Sequence, residues 1–341
     1  MKTGTGMAAL LSAALLLTGC GGQRAPQPKR SVSIGAVGYS EDDTYIGELL
    51  ACLRQDVKDL SEKDRPVTLT TRFAGGAQRT EDRCVEELID SGCDVLCVNL
   101  VDRTAPTKTI DLAIRHDIPV IFFNREPVRE DLMRWERLYY VGSEARESGV
   151  MQGELAADWI RSHPETDRNG DGRIQYVLLE GEPGHQDAII RTENSVDTLR
   201  QEGIEVDKLS YQIANWSRAQ AQTRMTQMID TYGSGIELVL ANSDDMALGA
   251  LDAYGRKSVA AENRPVVFGT DGTKVGLKAI RDGEMAGTVY NDKEGQALGI
   301  ARLACALAEG TSLDAFDFQE GRYLYLPYKK VTAENADSFP D

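Results

Sequence analysis

The sequence predicts an α/β protein built as two doubly wound domains around parallel sheets, and three observations carry that prediction. Apolar, β-branched segments of strand length recur at Val32–Gly38, Val67–Phe73, Val95–Asn99, Val120–Asn124, Gln175–Glu180, Leu238–Asn242, Val266–Gly269 and Gly287–Tyr290. Short, nearly continuous apolar runs of this kind mark strands buried on both faces. Between most of them lie stretches with apolar residues at helical spacing, and alternating strands and helices imply parallel sheets covered on both sides. The alternation holds before and after roughly residue 143. About 310 residues follow the N-terminal segment, a length that suits two domains better than one.

Lys2 is the only charged side chain before an apolar run from Met7 to Leu17, which ends in Leu17-Thr18-Gly19-Cys20. The run is too short to cross a bilayer comfortably. Small residues before a single Cys, directly after an apolar stretch, resemble the bacterial lipobox. That resemblance implies a signal peptide over residues 1–19, cleavage before Cys20 and lipid attached to its sulfur, hence a membrane anchor. An ordinary secretory leader with a chance Cys is the alternative; the polar Gly- and Pro-bearing stretch after Cys20 favours the first. Residues 20–30 have the composition of a flexible tether, and the folded part is expected to start near Ser31.

Beyond that point each unit follows the same plan. Strand Val32–Gly38 leads into Ile46, Leu49, Leu50, Leu53, Val57 and Leu60, one face of a helix. Val150-Leu155-Trp159, Met225-Met228-Ile229 and Met246-Leu248-Leu251-Tyr254 repeat the pattern in the second half. Polar residues gather where the strands end. Tyr39 and Asp43 follow the first strand, Asn99 and Asp102 the third, Asn124-Arg125-Glu126 the fourth, and His185, Asp187 and Arg191 the fifth. Ser243-Asp244-Asp245, Asp271 and Asn291-Asp292 follow the last three. Open parallel sheets bind ligands at the carboxyl ends of their strands, so two facing edges would form one interdomain cleft. Asn, Asp and Gly also end strands simply as turn formers, which does not account for His185, Arg191 or Trp216.

The composition excludes several classes. With 54 Asp and Glu against 38 Lys and Arg, the chain is poorly suited to nucleic acid or to anionic lipid surfaces. It has three His and lacks a GxSxG elbow, an HExxH pair and a phosphate-binding loop. A cleft of Asp, Asn, Arg, His and aromatics without a nucleophile–base pair suits reversible binding of a polyol. Carboxylates and amides accept from its hydroxyls, Arg donates to them, and aromatic rings cover the CH face of a pyranose. Five cysteines lie beyond Cys20: Cys52, Cys84, Cys93, Cys97 and Cys305. Buried small hydrophobes are the expected reading, with Cys93 and Cys97 on one face of a strand and a Cys52–Cys84 bridge left open.

Several longer motifs resemble the bacterial periplasmic galactose/glucose-binding proteins, here in lipoprotein form. They are Ile34–Tyr39 followed by Asp42-Asp43-Thr44-Tyr45, Pro119–Pro127, Tyr140–Ser143, Asp167–His185, Phe268–Asp271 and Ala286–Asp292. The resemblance covers nearly the whole mature chain in order. It implies the type I periplasmic binding fold with a three-segment hinge: one domain from residues 31–142 and 293–326, the other from 143–292 and 327–341. It implies polar ligand contacts from Asp43, Asn124, His185, Asp187, Arg191, Asp271 and Asn291, stacking by Tyr45 and Trp216, and Tyr39 on the wall. Ser243 departs from the family, which usually carries Asn there, and Tyr45 replaces a usual Phe.

Asp167-x-Asn169-x-Asp171-Gly172-Arg173-x-Gln175 follows the first part of a calcium loop, with Arg173 offering its backbone carbonyl. Leu178 stands where such a loop would end in Glu, and the resemblance places the missing carboxylate at Glu237. A solvated turn is the alternative. The function implied is a monomeric, non-enzymatic lipoprotein of the cell surface or periplasm. It would bind Ca²⁺ and a hexose monosaccharide, glucose or galactose, and hand the sugar to an ABC permease. A sensory receptor as partner, a different monosaccharide, a repressor and a hydrolase with Asp43 and Asp187 as its carboxylates are the rival readings; no nucleic-acid partner is expected.

Overall fold

The computed structural model describes Met1 and residues 31–340; the leader, the tether and the expected lipidation site Cys20 lie outside the described residues. The first half runs β1 (Val32–Gly38), α1 (Thr44–Leu60), β2 (Val67–Phe73), α2 (Gln78–Asp90), β3 (Val95–Val98), α3 (Thr107–His116), β4 (Val120–Phe123), α4 (Arg129–Leu132) and β5 (Leu138–Gly142). The second runs α5 (Ala145–Ser162), β6 (Ile174–Glu180), α6 (Gln186–Gln201), β7 (Val206–Ile213), α7 (Arg218–Tyr232), β8 (Leu238–Ala241), α8 (Asp244–Arg256), β9 (Val266–Phe268), α9 (Lys274–Arg281) and β10 (Gly287–Tyr290). The chain closes with α10 (Lys293–Glu309), β11 (Tyr323–Tyr325) and β12 (Lys329–Thr332).

The strands form two six-stranded sheets, ordered β11-β5-β4-β3-β1-β2 and β12-β10-β9-β8-β6-β7. Every pairing is parallel except β10 with β12. The chain passes between sheets three times: from β5 into α5, from β10 into α10, and from β11 into β12. Helix α10 packs with the first sheet, where Ala297, Ile300, Ala301 and Ala304 share a core with Ile46, Leu49 and Leu53 of α1.

The apolar strand runs are buried for the reason the sequence suggests. Strands β3, β4, β8 and β10 have no exposed residue, because helices cover both faces of each sheet. The expected strand ends hold within a residue. The four strands not singled out beforehand are β5, β7, β11 and β12. Strand β7 reads Val-Asp-Lys-Leu-Ser-Tyr-Gln-Ile and lies at a sheet edge, half-exposed along its length, so it lacks the apolar run of an inner strand. Strands β11 and β12 are three and four residues long.

The five described cysteines are free thiols. Cys52 flanks the core on one face of the first sheet and Cys84 belongs to the core on the other face, so the bridge left open between them does not form. Cys93 and Cys97 also separate: Cys93 lies in the turn before β3 and packs into the opposite core from Cys97.

Candidate binding site between the lobes

Strand ends from both sheets meet in one cleft. Tyr39 and Asp43 enter it from the segment after β1, Tyr45 from the first turn of α1, and Asn124 and Arg125 from the end of β4. The second lobe contributes His185, Asp187 and Arg191 around the start of α6, Trp216 after β7, and Asp271 after β9. Ser243 and Thr273 line an adjoining recess with Asp43, Tyr45, Trp216 and Asp271. The unfilled space, counting its open mouth, is about 350 Å³.

Asn291 is the expected contact that the structure does not bring to this lining. Its Oδ1 accepts from Ser143 Oγ at 3.1 Å and Gln296 Nε2 at 2.6 Å, which places it in a buried polar knot joining two of the three lobe crossings. Ser243 caps α8, its Oγ accepting from the Met246 N–H at 3.3 Å. Its hydroxyl is therefore partly committed to the helix end.

Local backbone chemistry aims these side chains. Asn124 (φ 60°), Asn215 (φ 49°), Trp216 (φ 58°) and Asp271 (φ 108°) all have positive φ, and strain of this kind collects at binding sites. Gly181 is required by close approach: a Cβ there would lie 2.2 Å from the Trp216 ring. Asp43 is the N-cap of α1, with Oδ1 accepting from Ile46 N–H at 2.8 Å and Oδ2 from the Tyr39 hydroxyl at 2.6 Å. The cap fixes the carboxylate at the cleft wall.

Arg191 is 5% exposed and fully braced. It donates to Ser148 Oγ at 3.1 Å, to the Asn242 carbonyl at 3.1 Å and to the Tyr328 hydroxyl at 3.0 Å, and its Nη1 lies 3.6 Å from Asp271 Oδ1. Burial pushes the carboxyls of Asp271 and Asp187 upward, against the pull of Arg191 on both. Burial also drives His185 well below its ordinary range, helped by Arg125, Arg191 and Arg103, so its imidazole is neutral. The Tyr45 hydroxyl, His185 Nδ1 and Trp216 Nε1 are buried without a hydrogen-bond partner. Buried polar groups are nearly always paired, and leaving one unmet costs about 1–3 kcal/mol.

Arg125 is the cleft residue that sequence reasoning passed over. It is 5% exposed and its guanidinium lies 3.7 Å above the Tyr39 ring centroid. It also donates across the cleft to Glu182 Oε2 at 3.0 Å. The Asn-Arg-Glu run at the end of β4 was visible, but not which of its members turn inward. The Lys274 N–H donates to Glu48 Oε1 at 3.0 Å and the Thr44 hydroxyl to Asp245, so the lobes are in contact in a closed arrangement.

The loop Asp167–Gln175 lies away from the cleft, before β6. Asn169 Nδ2 lies 3.0 Å from both Asp171 Oδ2 and Gln175 Oε1, and Gln175 Nε2 lies 3.0 Å from Asp171 Oδ2. Glu237 accepts from the N–H groups of Arg168 at 2.7 Å and Gln175 at 2.9 Å. Asp167 accepts from those of Gly170 and Gly172, each at 2.8 Å. Among the described residues no three His, Cys, Asp or Glu side chains converge as a metal cluster. The oxygens gathered here are carboxylate and amide, the donor type of hard cations.

Two α/β lobes, three crossings and a closed polar cleft at the carboxyl edges of both sheets define a solute-binding protein of the type I periplasmic fold. The chain belongs to the periplasmic binding protein domain family, whose model matches residues 34–312. It is 33% identical over 309 residues to the D-galactose/methyl-galactoside binding periplasmic protein MglB of Haemophilus influenzae, covering 90% of this chain and 91% of that one. It is 27% identical to a xylitol-binding protein of Mycolicibacterium smegmatis, covering 89% and 80%. A Bacillus halodurans ABC transporter solute binding protein with bound myo-inositol superimposes with TM-score 0.75 at 23% identity, covering 92% and 98%. One from Actinobacillus succinogenes with bound D-allose gives 0.76 at 18%, covering 90% and 100%. The chain is thus an extracytoplasmic solute-binding protein of the periplasmic binding protein family, a non-enzymatic class. No helix among the described residues is long and apolar enough to cross a membrane.

Proposed function

We propose that this protein binds a neutral hexose, glucose or galactose, between its lobes and presents the closed form to an ABC importer from a lipid anchor at Cys20. The observation that carries the reading is the set of unpaired groups around one small space. Tyr45 and Trp216 bring unpaired donors and His185 an unpaired, neutral ring nitrogen, beside the carboxyls of Asp187 and Asp271. Hydroxyls donate and accept at once, so a sugar answers such a mixture better than an anion or a cation does. Arg125 and Arg191 stand against three carboxylates in the lining, which leaves no strong preference for a charged ligand. Trp216 and Tyr45 supply aromatic surface for the CH face of the ring. The kinship with a galactoside-binding protein supports a hexose over the other polyols bound by relatives.

Closure follows from differential binding: sugar contacts to both lobes stabilise the closed form, in which Thr44–Asp245 and Arg125–Glu182 join across the cleft. A bound Ca²⁺ would neutralise charge and tie the start of β6 to Glu237. Its ligands would be the side chains of Asp167, Asn169, Asp171, Gln175 and Glu237 with the Arg173 carbonyl. Calorimetric titration with glucose, galactose, ribose, xylose and arabinose tests the sugar assignment. The two hexoses are expected to bind within about tenfold of each other. Pentoses should bind more weakly, because without the 6-hydroxymethyl group polar atoms of the closed cleft stay unmet. Tight binding of ribose or xylose with no heat from either hexose would contradict the assignment.

A further inference from the structure

Lys293, the first residue of α10, is 1% exposed, and a lysine is buried so fully only among partners. Its Nζ donates to the Gly272 carbonyl at 3.0 Å, lies 3.3 Å from Glu48 Oε2 and stands 4.7 Å from the Tyr290 ring centroid. Glu294 Oε1 is 3.8 Å away. Helix α10 shares the first lobe's core with α1, the helix that carries Glu48. Gly272 and Tyr290 belong to the second lobe, after β9 and at the end of β10. The ammonium group therefore lies where the two lobes touch.

Glu48 makes a second link at the same place. Its Oε1 accepts from the Lys274 N–H at 3.0 Å. Lys274 opens α9, and the first N–H groups of a helix have no partner within it. A carboxylate of the first lobe thus meets a donor at the positive end of a second-lobe helix. The turn it meets is firmly held. The Thr273 hydroxyl accepts from the Gly276 N–H at 3.1 Å, and the Thr273 N–H donates to Asp244 Oδ2 at 2.7 Å. Gly272 has φ 64°, and a Cβ there would lie 2.4 Å from the Tyr290 ring. Thr44, one turn before Glu48 on the same face of α1, also reaches the second lobe, at Asp245. Glu48 and Lys293 stand outside the cleft lining, whereas Asp271, next to Gly272, is part of it.

We propose that Glu48 and Lys293 are positioning residues for ligand capture: they clamp the Gly272–Lys274 turn when the lobes close and so strengthen binding without touching the ligand. A ligand that draws Asp271 inward seats this turn on both side chains. Opening parts the turn from them and returns them to water, so the clamp stabilises the closed form alone. Apparent affinity scales with the fraction of protein in the binding-competent form. The inference rests on the closing mechanism proposed above and not on which sugar fills the cleft.

Calorimetry with galactose and glucose tests it on the wild-type protein, Glu48→Gln, Lys293→Met and the double variant. Each replacement removes a charge at nearly constant shape, and two single variants guard against one failing to fold. Each single variant is expected to bind the better hexose about tenfold more weakly. The double variant should lose little more than either, because both changes remove one shared interaction. Melting temperatures without sugar should stay near the wild-type value, a split that a merely structural pair does not produce. Unchanged affinity in either folded single variant would overturn the proposal, as would an affinity loss that tracks a fall in sugar-free melting temperature. If neither hexose gives heat with the wild-type protein, the hexose reading falls and small-angle X-ray scattering of the sugar-free proteins decides the clamp. A wild-type protein more compact than Glu48→Gln upholds it, and equal radii of gyration overturn it.

Discussion

Trp216 shows how one residue's place in the cleft is set by its neighbours. Its ring lies against Gly181, meets His185 edge-on at 5.1 Å, and keeps a buried, unpaired N–H. It is partly buried and packs on the margin of the second lobe's core rather than inside it, so Trp216→Ala should leave the fold intact. Sugar affinity should fall by about 1–3 kcal/mol through lost ring contact and a lost donor. Unchanged affinity in calorimetry would take the ring out of the site. At this scale much of the site was legible in the sequence, because Asp43, Asn124, His185, Asp187, Arg191 and Asp271 each follow the carboxyl end of a strand, in the loop after it or the first turns of the next helix. Asn291 shares that position, yet its side chain turns to Ser143 and Gln296. Arg125 turns inward because Tyr39 and Glu182 receive it. Such choices depend on partners far away in sequence, which a strand-end pattern does not contain.

Asp244 opens α8 and ties it to its neighbouring elements. Its carboxylate accepts from the Thr273 N–H at 2.7 Å, the Thr273 hydroxyl at 3.0 Å and the Thr288 hydroxyl at 2.5 Å, which links α8 to the start of α9 and to β10. Burial raises its pKa from 3.8 to about 7, against these donors. The folded protein then keeps a proton that the unfolded chain loses. Asp244's contribution to stability is fully present below pH 3.8 and is lost as pH rises to about 7, a change on the order of 4 kcal/mol. Denaturant melts from pH 4 to pH 8 should show wild-type stability falling relative to Asp244→Asn; a constant difference would contradict the assignment. The loop Asp167–Gln175 is tested in the same way. Ca²⁺ at a hundredfold excess over its Kd should stabilise the chelated protein by about 2.7 kcal/mol, and Asp167→Ala should abolish that response. A melting curve indifferent to chelation would leave the loop a turn. Most inner strands were legible as apolar runs and the edge strand β2 by its β-branched residues, whereas the edge strand β7 was not, because Asp, Lys, Ser and Gln interrupt its apolar residues along a half-exposed edge.

The whole molecule couples these parts through three crossings. Asn291, Ser143 and Gln296 knot the first two, and Tyr328 at the third holds Arg191 by its hydroxyl. A ligand engaged by Arg191 is therefore coupled to the second lobe and to the third crossing. The division into two parallel sheets was readable from the strand–helix alternation, but the return of β11 to the first sheet and of β12 to the second was not, since each is only a few residues long. The central claim is that a hexose lies between the lobes, and a crystal structure of the protein grown with galactose tests it most directly. The account expects the ring in the closed cleft, one face on Trp216, with hydroxyls hydrogen-bonded to His185 Nδ1, Asp187, Arg191 and Asp271. Galactose bound elsewhere on the surface, with Tyr45, His185 and Trp216 still unpaired, would contradict it.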